Sequence, residues 1–177
     1  MNRTLNAFLV IAALALSPAV GAQVTVELEP SADVTLYEED GNTSNGAGSH
    51  IFVGRTENRN GAVERRALLA FDVSGSIPAG AVIESVELEV SLNKTISGAQ
   101  TIELRRVTES WTEGSSDPSG QEGGGTSSSS GDATWTHRSL PSLTWSSQGG
   151  SFVAGASGSQ QIASVDDYTC ASTAQMV

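Results

Sequence analysis

The stretch VIESVELEVSLN, Val82–Asn93, limits the fold more than any other part of the chain. Val86, Leu88, Val90 and Leu92 fall on one face of an extended backbone, and Glu87, Glu89, Ser91 and Asn93 on the other. Successive side chains of a strand point to opposite faces, so this period of two predicts a strand with one face in a core. A helix would scatter the same residues around its surface. The alternation recurs in VTVEL (Val24–Leu28) and in ADVTLYEED, where Val34 and Leu36 share a face. HIFVG (His50–Gly54) is expected to be a short strand closed by glycine. RRALLAFDV (Arg65–Val73) is apolar on both faces, the pattern of a strand buried between layers. QTIELRRV (Gln100–Val107) follows the long strand across NKTISGA and reads as its hairpin partner. Weaker strands are expected at ATWTH, SFVAG and SQQIA.

Helical periodicity is almost absent, and clusters such as DGNTSNGAG and SGSIPAG supply turns between the strands. The expectation is an all-β protein, an antiparallel β-sandwich of jelly-roll-like type. Its core would hold the Val86 face together with Leu69, Phe71, Ile102 and Leu104.

The first stretch is set apart from that fold. Arg3 is followed by the apolar run Ala7–Leu16, a break at Ser17-Pro18, and small residues at Val20-Gly21-Ala22. This is the pattern of a secretory signal peptide over residues 1–22, with export as its consequence and a mature chain from Gln23. The run is too short for a transmembrane segment, and no second one follows. The formal net charge of −11 argues against nucleic acid and anionic membrane surfaces as partners. A single cysteine, Cys170, leaves no intrachain disulfide to stabilise an exported chain.

Between Gly114 and Gly131 nearly every residue is Gly or Ser, the composition of a flexible linker. A linker needs a domain on each side, and fewer than fifty residues follow Gly131. Their large apolar members, Trp135, Leu140, Leu143, Trp145, Phe152 and Ile162, read as a supplement to a core begun earlier. The run 114–131 is therefore expected to be a long internal loop of a single domain over residues 23–177.

The order of RRALLAFD, SGSIPAGA, the alternating strand, RRVTESWTEG, GQEGGG and GDATWTHR resembles the secreted bacterial DNRLRE-domain family from about Ala32 to the end. Members of that family are jelly-roll modules similar to carbohydrate-binding modules. The hexapeptide that names the family is absent here. The resemblance implies a non-catalytic extracellular module, with a last strand or strands beyond Val177. Some relatives are credited with binding acidic or neutral glycans.

Catalysis finds little support in the residues. His50 and His137 are the only imidazole bases, and no Ser or Cys sits in a nucleophile-elbow context. Glycan recognition asks for aromatic faces and polar groups for sugar hydroxyls. Trp111 reads as core, Trp135 as either core or contact, and Trp145 as the exposed aromatic; His137 joins them beside the loop. Arg65 and Arg66 match the geometry of a uronate carboxylate, or pair with acids nearby. Calcium is the candidate cofactor, with Asp117, Glu122 and Asp132 flanking the Gly-rich run as candidate ligands. A second acidic group spans Asp33, Glu38, Glu39, Asp40 and Asn42; neither group has EF-hand spacing. The expected function is a secreted module that binds extracellular or cell-surface polysaccharide without catalysis. The alternative is a structural building block of an extracellular assembly, which a free Cys170 would suit.

Overall fold

The computed structural model describes residues 8–14, 23–58, 61–120 and 122–172. The protein is all-β, antiparallel and of the β-sandwich class, and every strand pairing in it is antiparallel. The chain divides into two units. The first joins Ala32–Ala70 to Val107–Val153, and the second joins Phe71–Arg106 to the described parts of Leu5–Ser31 and Ala154–Val177.

The second unit is built around the alternating stretch. In chain order its first strands are β1 (Phe8–Leu14) and β2 (Gln23–Leu28). The first unit then contributes β3 (Ala32–Tyr37), β4 (Thr43–Ser44), β5 (Gly54–Asn58) and β6 (Gly61–Ala70). The chain returns to the second unit with β7 (Val82–Leu92) and β8 (Gln100–Leu104). β7 lies between β1 and β13 (Asp166–Ser172) in a four-stranded sheet of order β13-β7-β1-β2. The Val86 face is buried as the alternation requires, with Val86 1% and Leu88 5% exposed. Val86 packs with Leu28 and with Val26, Phe71, Val73, Ile77 and Ile83.

Three expectations are corrected in this unit. β8 does not form a hairpin with β7, because both edges of β7 are taken by β1 and β13; β8 pairs instead with β12 (Gly158–Ile162). β13 was not expected at all. Its polar DDYT opening hides an inward position, and Cys170 is buried opposite Leu88. Finally, Phe8–Leu14, expected to lie outside the fold, is a strand paired with both β2 and β7. The rest of the leader stretch lies outside the described residues, as does 173–177, where the incomplete C-terminal end was expected.

In the first unit β6 is the centre of the sheet β3-β6-β5. HIFVG is not a strand: the ladder with β6 begins only at Gly54, and Val53 is 49% exposed. β3 is buried on both faces, Val34, Thr35, Leu36 and Tyr37 all at 0% exposure. Apolar burial accounts for Val34 and Leu36, which pack with Leu68, Ala133, Trp135 and Trp145. The other face is satisfied by hydrogen bonds: Thr35 Oγ1 accepts from Phe52 N at 2.9 Å, and Tyr37 OH donates to the Glu122 carbonyl at 3.1 Å. The remaining elements of this unit are a 3₁₀ turn (Glu122–Gly124), β9 (Thr126–Ser127), β10 (His137–Ser139) and β11 (Leu143–Thr144).

The Gly/Ser run 114–131 has both flanks in this unit and is tied to it along its length. β9 pairs with β4, and Ala47 N donates to the Ser116 carbonyl at 3.1 Å. Asp132, fully buried, accepts from Ser115 N at 2.8 Å, Ser129 N at 2.7 Å and the Ser116 hydroxyl. Gly125 takes φ +62°, and a Cβ there would stand 2.9 Å from the Tyr37 ring, so only glycine lets the loop close onto β3.

Candidate functional site

The tryptophans nominated as glycan contacts are not on the surface. Trp145 is 6% exposed and Trp135 8%, and both belong to the first unit's core. Trp145, expected to be exposed, is held inside because its indole N–H finds a buried partner, the Thr134 carbonyl at 2.9 Å. Neither ring presents a face for a sugar to stack on. His137 opens the β10–β11 hairpin, half-buried, with Nδ1 2.9 Å from the Thr136 hydroxyl. Trp111 packs against the core, as expected.

The two arginines follow the plainer of their two readings. Arg65 Nη2 lies 2.5 Å from Glu39 Oε1, and its guanidinium sits over the Tyr37 ring at 5.2 Å. Arg66 Nη2 lies 2.9 Å from Glu64 Oε2, and Nη1 donates to the Gly149 carbonyl at 2.7 Å. Its guanidinium also stands 4.8 Å from the Trp135 ring centroid and 5.1 Å from that of Phe152. The structure thus brings Arg66 and Trp135 together, with the arginine as a cation–π cover over the indole. Gly149 makes room for this stack, since a Cβ there would stand 2.7 Å from both Arg66 Nη1 and Trp135.

Phe152, expected in the core, is the aromatic that reaches the surface, at 38% exposure. A single bridge to Val107 fixes its backbone, and Thr108 N donates to the Ser151 carbonyl at 2.9 Å. On one side of Phe152 stands the Arg66–Glu64 pair. Ser151, the residue before Phe152, interacts with Glu109, which also accepts from Ser146 N at 2.9 Å and Ser146 Oγ at 3.0 Å. The Ser151 hydroxyl, then the Ser146 amide, hold the Glu109 carboxyl below its ordinary range, so it is ionised at neutral pH. The result is an exposed ring beside the Arg66 guanidinium, with Glu64 paired to that guanidinium and Glu109 tied to the neighbouring Ser151, a surface equipped for a ligand with an apolar face and hydroxyls. Sequence reasoning missed Phe152, Glu64 and Glu109. In SFVAG the alternation allows either Phe152 or Val153 to point inward, and no other signal separates them.

The three carboxylates nominated for calcium are engaged separately. Asp132 is enclosed by serine donors; burial alone would raise its pKa, but the Ser116 hydroxyl and the Ser129 and Ser115 amides bring it below the ordinary value. Asp117 accepts from Ser119 N at 2.9 Å. Glu122 is buried and accepts from His50 N at 2.8 Å, with His50 Nδ1 at 3.3 Å. Among the described residues no three His, Cys, Asp or Glu side chains are grouped to hold a metal ion. One other oxygen does converge on Glu122. Asn45 is fully buried; its Nδ2 donates to the His50 carbonyl at 2.7 Å, while its Oδ1 has no partner. A Cβ placed on Gly48 would overlap Asn45 Oδ1 and stand 2.9 Å from Glu122 Oε2, so both oxygens border one point of the loop.

Residues 24–134 match the model of carbohydrate-binding module family 96. The matched span contains Glu64, Arg65, Arg66, Glu109 and Glu122; Trp135, His137, Trp145 and Phe152 lie past its end. No curated protein and no solved structure matches the chain. No helix among the described residues is long and apolar enough to cross a membrane. A match over most of the chain settles the family: this protein belongs to carbohydrate-binding module family 96.

Proposed function

We propose that the protein is a non-catalytic, exported module that binds a polysaccharide through the surface around Phe152, and that it is a module of DNRLRE type. The observation that carries this reading is membership of a carbohydrate-binding family across residues 24–134. The site follows from exposure: with both inner tryptophans in the core, Phe152 is the exposed aromatic of its unit. A sugar ring stacked on it would meet polar groups from Glu64, Arg66 and Glu109. Among the described residues, the ring nitrogens of the two histidines are given to Glu122 and Thr136.

Affinity electrophoresis through gels carrying a panel of polysaccharides tests the reading. Retardation in at least one gel is expected, and Phe152→Ala should weaken it about 10-fold while leaving the urea midpoint little changed. Absence of retardation in every gel overturns it. Self-association in light scattering without glycan affinity would move the protein to the structural building block of an assembly. That alternative has lost one support: Cys170 is 5% exposed, and burial raises its thiol pKa, so it is poorly placed for intermolecular cross-linking.

A second proposal, calcium at Glu122, is favoured by the unpartnered Asn45 Oδ1 beside it. Asp117 and Asp132 have no part in it. A calcium-dependent rise in melting temperature that Glu122→Gln removes is the expected result, and an unchanged melt in millimolar calcium rejects the proposal.

A further inference from the structure

We infer that the cation site at Glu122 is built for a transition ion of zinc type, with the His50 imidazole as a ligand beside Glu122 and Asn45; this rests on the cation reading of Glu122 above. His50 Nδ1 lies 3.3 Å from Glu122 Oε2. A charge-assisted hydrogen bond between such groups closes to about 2.7–2.9 Å, so the contact is loose for an ion pair. Two donors that each stand about 2.1 Å from one tetrahedral ion are about 3.4 Å apart, so the spacing suits two ligands of one ion. The third donor is Asn45 Oδ1, fully buried and without a partner. Gly48 leaves open the point that borders both oxygens: a Cβ there would overlap Asn45 Oδ1 and stand 2.9 Å from Glu122 Oε2.

The three groups hold one another in place. Asn45 Nδ2 donates to the His50 carbonyl at 2.7 Å, which fixes the direction of the amide oxygen. His50 N donates to Glu122 Oε2 at 2.8 Å, and that oxygen keeps a second lone pair for an ion. Tyr37 OH donates to the Glu122 carbonyl at 3.1 Å and supports the carboxylate from β3. The His50 side chain is 34% exposed against 8% for Glu122, so an ion enters past the imidazole. The donor set decides which ion. Calcium takes about six to eight oxygens, whereas these side chains bring two oxygens and a nitrogen. Imidazole with carboxylate and amide oxygens suits zinc, with water completing a tetrahedral shell. Bound there, the ion ties the connection 45–53, between β4 and β5, to the Gly/Ser run that carries Glu122.

The test titrates Co²⁺, Zn²⁺ and Ca²⁺ into the chelator-treated full chain, reading visible absorption and melting temperature. Expected are cobalt absorption bands that saturate at one ion per chain, that zinc displaces, and that excess calcium leaves in place. His50→Gln should weaken cobalt binding at least about 100-fold and leave the metal-free urea midpoint little changed. His137→Gln should leave the bands intact. A melting temperature raised by calcium, with cobalt and zinc silent, overturns the inference and leaves the calcium reading of Glu122 standing. Cobalt bands that survive His50→Gln, or that vanish with His137→Gln, also overturn it, because the ligands then lie elsewhere. No response to any of the three ions overturns both.

Discussion

Two of the chain's connections of loop-forming composition behave oppositely. Residues 93–99, NKTISGA, leave the end of β7 with Ile96 100% exposed, and the hydroxyl of Thr95 bonds locally to Ser97 at 3.2 Å. Residues 114–131 are longer and richer in glycine and serine, yet Glu122 and Ser116 are buried and the backbone pairs with β4. Glycine content does not make the difference. The second loop surrounds one buried carboxylate, Asp132, whose oxygens collect serine donors from both of its ends. Composition gives a loop its freedom, and a buried acceptor removes it.

The strongest way to break the comparison is Asp132→Ala. It strands the buried donors around the carboxylate and should destabilise the first unit by about 3 kcal/mol or more, read as a lower urea midpoint. Amide exchange at Ser115 and Ser129 should then accelerate toward that of residues 93–99. If those amides stay protected, the carboxylate is not the anchor.

Tyr37→Phe is milder. It deletes the hydroxyl that donates to the Glu122 carbonyl and should lower stability by about 1 kcal/mol in chemical denaturation.

Asp33→Asn should act with the opposite sign, at the start of the loop. Glu113, the residue before Gly114, accepts from Asp33 N at 2.8 Å, which brings its charge toward the Asp33 carboxyl. Burial first and Glu113 second raise the Asp33 pKa from 3.8 to about 6. The native state therefore holds this proton more tightly than the unfolded chain, and stability falls as pH rises from 3.8 to about 6. The asparagine variant should gain roughly 1 kcal/mol at pH above about 6, after allowance for the half-exposed position, and nothing below about 3.8. Melting curves across that range decide it.

The smallest effect is expected from doubling the 93–99 connection with Gly-Ser residues. Loop closure alone changes by about 0.6 kcal/mol, so the urea midpoint should barely move. The same insertion between Gly120 and Glu122 should perturb β9 pairing and give a visibly larger shift.

What the sequence made legible was whatever depended on local alternation. Val86 and Leu88 face inward, as do Val34 and Leu36, because a period of two with one apolar side has few other solutions. Partnership between distant strands was not legible. Nothing in QTIEL distinguishes β7 from β12 as its neighbour, and only the occupied edges of β7 decide it. The candidate site failed for a related reason. Trp145 and Phe152 are both large aromatics near the same loop, and a buried carbonyl, Thr134 O, draws Trp145 inside. That acceptor is visible only once the chain is folded. The arginines were legible as a pair of alternatives, and the density of acids around them favoured ion pairs.

The place of β1 has a consequence for the whole second unit. It runs antiparallel to β2 and to β7, so those two strands are parallel to each other and separated by two inter-strand spacings, about 9.6 Å. Without a segment in that slot the sheet falls into a β7–β13 ribbon and a solitary β2, and a lone strand has no ladder to hold it. The slot thus acts as a keystone course: whichever six or seven residues occupy it decide whether the strands on either side belong to one sheet.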